Sequence, residues 1–187
     1  MKRNTIVLLL ISTLLTSCVA AVVVGTAGGL AVYDRRSVMS IEKDARIFHV
    51  VHTDIARDPR FAGSHVLVSS YNQVVLLVGQ TPIASLRVVA EKMAQDAPGV
   101  TRVYNEISVD APLSLTERSN DTWLTSQVRS KMLAEKDLES GSVHIITENT
   151  VVYLMGIVTP EQGNLAVNVA RHVNGVSKVV KVFQYIR

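Results

Sequence analysis

The hydrophobic positions of this chain change period in a fixed order, and the order occurs twice. Ile47, Val51 and Ile55 recur every four residues, which places them on one helix face. Two short apolar runs follow, at residues 66–69 and 74–78, and read as a hairpin. Thr81-Pro82 opens a second helix whose inner face carries Leu86, Val89, Ala90 and Met93. Pro98-Gly99 ends that helix, and residues 101–109 read as a third strand.

The second half repeats this. Leu124, Val128 and Met132 mark a helix face; Val143 and Ile145 alternate with His144 and Ile146 as a short strand. Glu148-Asn149-Thr150 supplies a turn, and the β-branched, apolar run from Val151 to Met155 is a buried strand. Thr159 as N-cap, Pro160 at N1 and Gln162 at N3 start a helix continued by Leu165, Val169 and Val173. Asn174-Gly175 stops it, and residues 176–186 form the last strand. Tyr71-Asn72-Gln73-Val74-Val75-Leu76-Leu77-Val78-Gly79 aligns with Glu148-Asn149-Thr150-Val151-Val152-Tyr153-Leu154-Met155-Gly156 at an offset of 77. Pro98-Gly99-Val100 matches Asn174-Gly175-Val176 at 76.

Each unit therefore reads helix, strand, strand, helix, strand. A strand–helix–strand crossover joins parallel strands, whereas the hairpin joins antiparallel ones. The expected fold class is α+β: two tandem domains, each a three-stranded mixed sheet with two helices packed on it. Their expected extents are 41–111 and 112–187, joined at the short segment Asp110-Ala111-Pro112-Leu113-Ser114. Each unit has roughly 70 residues, near the lower limit for a self-sufficient core, so the two are expected to pack on each other.

The N-terminus has another design. Lys2 and Arg3 precede an apolar run from Ile6 to Leu15, closed by Leu15-Thr16-Ser17-Cys18. That is the layout of a secretory leader with a small-residue cleavage site. The run is too short to span a bilayer, which takes about 20 residues. Cys18 is the one cysteine of the chain, and the four residues ending in it resemble the lipobox of bacterial lipoproteins. The resemblance implies a leader over residues 1–17, cleavage before Cys18, and acyl chains on its sulfur and on the new amine. Val19, not aspartate, follows Cys18, which by resemblance to enterobacterial lipoproteins allows sorting to the outer membrane, facing the periplasm. Residues 18–40, rich in Ala, Val and Gly, are expected to form a lipidated, poorly ordered tether.

Charge excludes a strongly basic nucleic-acid binder. The 19 basic and 16 acidic residues give +3, but Lys2 and Arg3 leave with the leader, so 17 against 16 remain, a net of +1. Acylation of the single thiol leaves no disulfide within the chain, so stability must come from packed cores. No phosphate-binding glycine loop, nucleophile elbow or convergent acid–base group is visible. His49 and His52 lie three apart, with no third metal ligand evident. We expect no catalytic residue, no metal site, and no cofactor beyond the acyl chains on Cys18.

Trp123, the one tryptophan, is the best candidate for function. Read as opening a helix behind the cap candidates Ser119, Asn120 and Asp121, it falls about 100° from the core stripe of Leu124, Val128 and Met132. Ser126, Ser130, Ala134 and Leu133 share its flank, with Arg129 and Lys131 on opposite margins. Tryptophan favours the membrane interface, and arginine pairs with lipid phosphate. Trp123, Leu124, Ser126, Arg129, Ser130 and Leu133 are therefore candidates for contact with anionic lipid. The competing reading packs Trp123 between the two units. The equivalent position in the first unit is Arg46, so the property belongs to the second unit alone.

An apolar strand ending in glycine, followed after a helix by a Pro/Asn-Gly-Val turn, resembles the BON domain. Two copies behind a lipobox, with Ser119-Asn120-Asp121-Thr122-Trp123, Val128-Arg129-Ser130 and Val103-Tyr104-Asn105-Glu106-Ile107, are similar to dual-BON outer-membrane lipoproteins. That resemblance implies a non-enzymatic envelope protein that binds anionic phospholipid through its tryptophan helix; we expect the protein to be monomeric. It also implies support of outer-membrane integrity and recruitment to division sites. The alternative is a periplasmic adaptor docking on an outer-membrane protein or on assembly machinery.

Overall fold

The computed structural model describes residues 34–186, so the expected leader, Cys18 and most of the expected tether lie outside the described residues. Val32–Arg187 forms one compact unit. In order, it contains α1 (Val38–Arg57), β1 (His65–Tyr71), β2 (Val74–Thr81), α2 (Ala84–Asp96), β3 (Arg102–Val109), α3 (Leu115–Ala134), β4 (Val143–Glu148), β5 (Val151–Val158), α4 (Pro160–Arg171) and β6 (Lys178–Tyr185). Short 3-10 turns at Pro59–Phe61 and Ser140–Ser142 precede β1 and β4. The sheets run β1-β2-β3 and β4-β5-β6. In each, the first two strands are antiparallel and the last two parallel. This is the α+β architecture that the periodicity predicts.

The central strands explain how the halves combine. Every residue of β2 is buried. Alternate side chains of a strand face opposite sides. Val75 and Leu77 join Ile47, Val51, Leu86 and Ala90 beneath α1 and α2. Leu76 and Val78 join Tyr71, Tyr153, Met155 and Val182 in a separate core shared by both sheets. On β5, Val152 and Leu154 likewise pack with Leu124, Val128, Met132 and Ala166. The sheets thus stack back to back with the helices outside. Polar bonds rim the stack: Gln80 Nε2 donates to Glu148 Oε1 (2.7 Å), and Asn72 Nδ2 to Gln184 Oε1 (2.8 Å). All three cores draw only on side chains between Ile47 and Phe183, so a chain beginning at Val32 keeps every one of them.

The repeated motifs have structural causes. A Cβ on Gly79 would lie 2.0 Å from the His65 carbonyl oxygen, and one on Gly156 2.4 Å from that of Ser142. The glycine that ends the matched stretch in both copies lets the incoming chain cross the central strand. Asn72 and Gln73, and likewise Asn149 and Thr150, take positive φ, as a tight hairpin turn of this hand requires. Such backbone costs a non-glycine residue about 1–2 kcal/mol. A buried carboxylate opposes that cost in each copy. Asp44 accepts the Asn72 and Gln73 amides, both at 2.7 Å. Asp121 accepts those of Asn149 and Thr150 at 2.7 and 2.8 Å.

Three expectations are corrected. α3 begins at Leu115, so Ser119, Asn120 and Asp121 are interior helical residues and Trp123 does not open the helix. Its N-cap is Ser114, which forms a capping box with Glu117. α2 begins at Ala84 behind Ile83, and Thr81 belongs to β2. The tether does not extend to residue 40. Arg35 pairs with Glu139 (2.6 Å), Arg36 with Asp34 (2.8 Å) and Asp44 (3.0 Å), and the Arg36 guanidinium lies 4.0 Å over the Tyr71 ring. Residues 34–40 therefore belong to the folded body.

Asp121→Ala leaves two turn amides without their charged acceptor, and each lost bond of this kind costs about 1.5–3 kcal/mol. We expect it to lower unfolding free energy by about 3 kcal/mol in urea titration, with Ser130→Ala within about 0.5 kcal/mol of the parent. Equal stability of the two variants would refute this role for the carboxylate.

Candidate membrane-contact surface on the third helix

The inner side of α3 is Asp121, Leu124, Val128 and Met132. Its outer side carries Trp123, Ser126, Ser130 and Leu133, separated by three, four and three residues and so aligned on one face. Trp123 is 53% exposed and Leu133 41%, and both serines are exposed. Trp123 is not part of the shared core between the sheets. Leu124 must be removed from the group. It is 0% exposed beneath the helix and can touch nothing outside without unfolding the domain.

The hydroxyls beside Trp123 bond back to carbonyls of their own helix. Ser126 Oγ donates to the Thr122 carbonyl (3.1 Å), and Thr122 Oγ1 to that of Arg118 (3.0 Å). Donors satisfied by the backbone cost less to remove from water than free ones. Arg129 is half-buried on one margin and Lys131 exposed on the other. Among the described residues, neither is in an ion pair. The stripe is thus a bulky indole and a leucine separated by small residues and bordered by free cations. In the first unit, Arg46 instead pairs with Glu42 on the surface of α1 (2.6 Å).

His52 stacks on Phe48, with ring centroids 5.3 Å apart. Among the described residues, no group of three or more His, Cys, Asp or Glu is placed to hold a metal ion, and no helix is long and apolar enough to cross a membrane.

Sequence reasoning missed His144. It stacks against Tyr71 with ring centroids 6.2 Å apart, where the edges of the two sheets meet. Burial, and then the charges of Arg129 and Arg36, push its pKa below the ordinary value. Tyr71 is pushed up to about 12, by burial and by nearby Asp34. Glu148 is raised by burial, against the hydrogen bond from Gln80.

The geometry can now be set beside known proteins. The chain matches the BON domain over residues 43–111 and again over residues 120–187. The chain belongs to the BON-domain family. It is 38% identical over 174 residues to the "Outer membrane lipoprotein DolP" of Haemophilus influenzae, covering 92% of this chain and 90% of that protein. It is 40% identical over 124 residues to the "21 kDa hemolysin" of Actinobacillus pleuropneumoniae, covering 66% of this chain and 64% of the other. The C-terminal domain of CdsD from Chlamydia trachomatis aligns at a TM-score of 0.32 with 11% identity, over 79% of this chain and 98% of that one, too distant to bear on function. This is a dual-BON, DolP-like protein, and α3 is the first helix of its second BON domain.

His144 gives a pH test of the contact between the BON domains. An imidazole with a lowered folded-state pKa binds fewer protons folded than unfolded, so its stability contribution is complete above about pH 6.5 and falls as pH drops toward the folded value. In urea unfolding, His144→Gln is expected to lose less stability than the parent between about pH 7 and 5. Parallel pH profiles would contradict this; His65, also lowered by burial, leaves the variant some residual slope.

Proposed function

We propose that this chain is a non-enzymatic outer-membrane lipoprotein, held by acyl chains on Cys18 and facing the periplasm, whose second BON domain rests on anionic phospholipid through α3. The observation that carries the reading is the exposed Trp123 in mid-helix, aligned with Ser126, Ser130 and Leu133 and bordered by the unpaired cations Arg129 and Lys131. The similarity to DolP over most of both chains supports the outer-membrane and lipoprotein parts. Recruitment to division sites and support of envelope integrity extend the same reading.

Magnitudes separate the roles of the two contacts. Each buried acyl CH₂ is worth about 0.8 kcal/mol, so a triacylated Cys18 holds the protein at the bilayer without help from α3. A cation near an anionic surface adds only about 1 kcal/mol. The helix therefore does not attach the protein. It selects which lipids the folded body settles on, and tethering keeps local lipid concentration high enough for a weak contact to be occupied.

The test uses the unlipidated chain from Val32 onward. It should sediment with phosphatidylglycerol vesicles and much less with phosphatidylcholine vesicles, and Trp123→Glu should reduce that binding at least about tenfold without altering the thermal melt. Undiminished binding by the folded variant would reject α3 as the lipid contact. A protein adduct dominating crosslinks from position 123 in cells, without lipid binding in vitro, would favour the adaptor reading.

A further inference from the structure

The two copies differ most sharply just before their first helices. Ser37 and Ser114, which match at the offset of 77, are the N-caps of α1 and α3. The residues before each cap are Asp34-Arg35-Arg36 in the first copy and Ala111-Pro112-Leu113 in the second. The second stretch is the interdomain linker, where Leu113 donates its amide to Gln80 Oε1 (3.2 Å). The first stretch carries charge at every position, and every charge is engaged. Arg35 donates through Nε and Nη2 to Glu139 Oε2, at 2.9 and 2.6 Å. Arg36 donates to Asp44 Oδ2 at 3.0 Å and covers the Tyr71 ring. The Tyr71 hydroxyl lies 3.3 Å from Asp34 Oδ1 and 3.3 Å from the Ser142 carbonyl oxygen.

The second copy folds on the same plan without these charges. Asp121 holds its hairpin turn through the Asn149 and Thr150 amides and, among the described residues, is in no ion pair. Asp44 holds the equivalent turn in the same way and also accepts from Ser70 Oγ (3.0 Å), so it stays hydrogen-bonded if Arg36 leaves. The counterpart of Glu139 at the same offset is Ala62. What the charges add is a bridge. Asp44 and Tyr71 belong to the first BON domain, Glu139 and Ser142 to the second. The short strap therefore clasps both domains, and Arg35 ends on Glu139, shortly after α3 stops at Ala134.

We propose that Asp34-Arg35-Arg36 is an ionic latch that fixes where the anchored end of the chain joins the folded body. Closed, the latch delivers the pull of the anchor to the seam between the domains and to Glu139, in the segment that follows the tryptophan helix. Open, the same pull reaches the first domain alone, at the start of α1. Opening also adds the strap to the chain between Cys18 and the body, about 10 Å when fully extended. The Arg35 and Glu139 side chains are 24% and 43% exposed, so water and salt reach the pair. An ion pair of this kind is weak and is screened at high ionic strength, which makes the latch reversible. Its effect on the approach of Trp123 to lipid rests on the membrane reading of α3, whereas the latch itself does not.

Trypsin cleavage after Arg35 and Arg36 reports whether the strap is held, and Glu139→Gln and Tyr71→Phe leave the strap's own sequence intact. In the chain from Val32 onward, each variant is expected to speed that cleavage about threefold at low salt, with Glu135→Gln cleaved at the parent rate. The difference between Glu139→Gln and the parent should vanish in about 1 M potassium chloride, where the screening length falls to about 3 Å. Parent-like cleavage of both variants would overturn the latch, whatever α3 does. On vesicles mixing phosphatidylglycerol and phosphatidylcholine, Glu139→Gln in the full lipidated chain should raise about twofold the phosphatidylglycerol fraction that gives half of the Trp123 blue shift. The same variant without lipid should bind as its parent does. A lipidated variant that matches its parent would overturn the positioning role and leave the latch. A parent whose Trp123 ignores phosphatidylglycerol would reject the membrane reading of α3 and the positioning role with it, while the cleavage rates still decide the latch.

Discussion

A three-stranded sheet whose central strand is apolar on both sides has two faces to bury, and two helices cover only one of them. Leu76 and Val78 of the first domain and Tyr153 and Met155 of the second would face water if either domain stood alone. Burying a side chain of this size is worth about 1.5–3 kcal/mol, a large share of the stability that units of roughly 70 residues command. Back-to-back stacking of the sheets resolves this for both domains at once. The repeat is thus a physical requirement as well as a pattern, because each copy completes the other's core.

That constraint sets the surface. With both inner faces occupied, the four α-helices of the described residues are pushed to the outside, and each turns one apolar side to its own sheet. α3 uses Leu124, Val128 and Met132 for this, which leaves Trp123, Ser126, Ser130 and Leu133 turned outward. Stacking also brings the edges β1 and β4 together, so that His144 lies against Tyr71, and the segment before α1 is fixed by the Arg35–Glu139 and Arg36–Asp44 pairs. The His144–Tyr71 contact and the outward tryptophan helix both follow from this one packing arrangement.

Much of this was legible from spacing alone. The offset of 77 placed β2 and β5, and Thr159-Pro160 was a correct helix start because cap chemistry is local. The start of α3 was not found, since residues 115–120 carry no apolar stripe and the helix there projects past the residues that bury against the sheet; Leu115 is among its exposed residues. The Ser114–Glu117 capping box was the signal that could have located it. The buried role of Asp44 and Asp121 was missed: Asp121 was read as a cap candidate and Asp44 was not singled out, since an acidic residue in a helix is most often solvent-facing; their shared offset with Asn72 and Asn149 was the available hint. Leu124 was placed both in the core and at the lipid contact, and only the first is compatible with its complete burial. The His144–Tyr71 contact depends on how two domains meet, which no local pattern encodes.

The single tryptophan makes the central claim directly measurable, because all indole fluorescence of the chain comes from Trp123. In the lipid-free protein the emission should be red and readily quenched by iodide, as for a ring facing water. Phosphatidylglycerol vesicles should shift it to the blue and shield it from the quencher, whereas phosphatidylcholine vesicles should change little. Emission already blue and shielded before lipid is added, or unmoved by acidic vesicles at saturating lipid, would contradict the account.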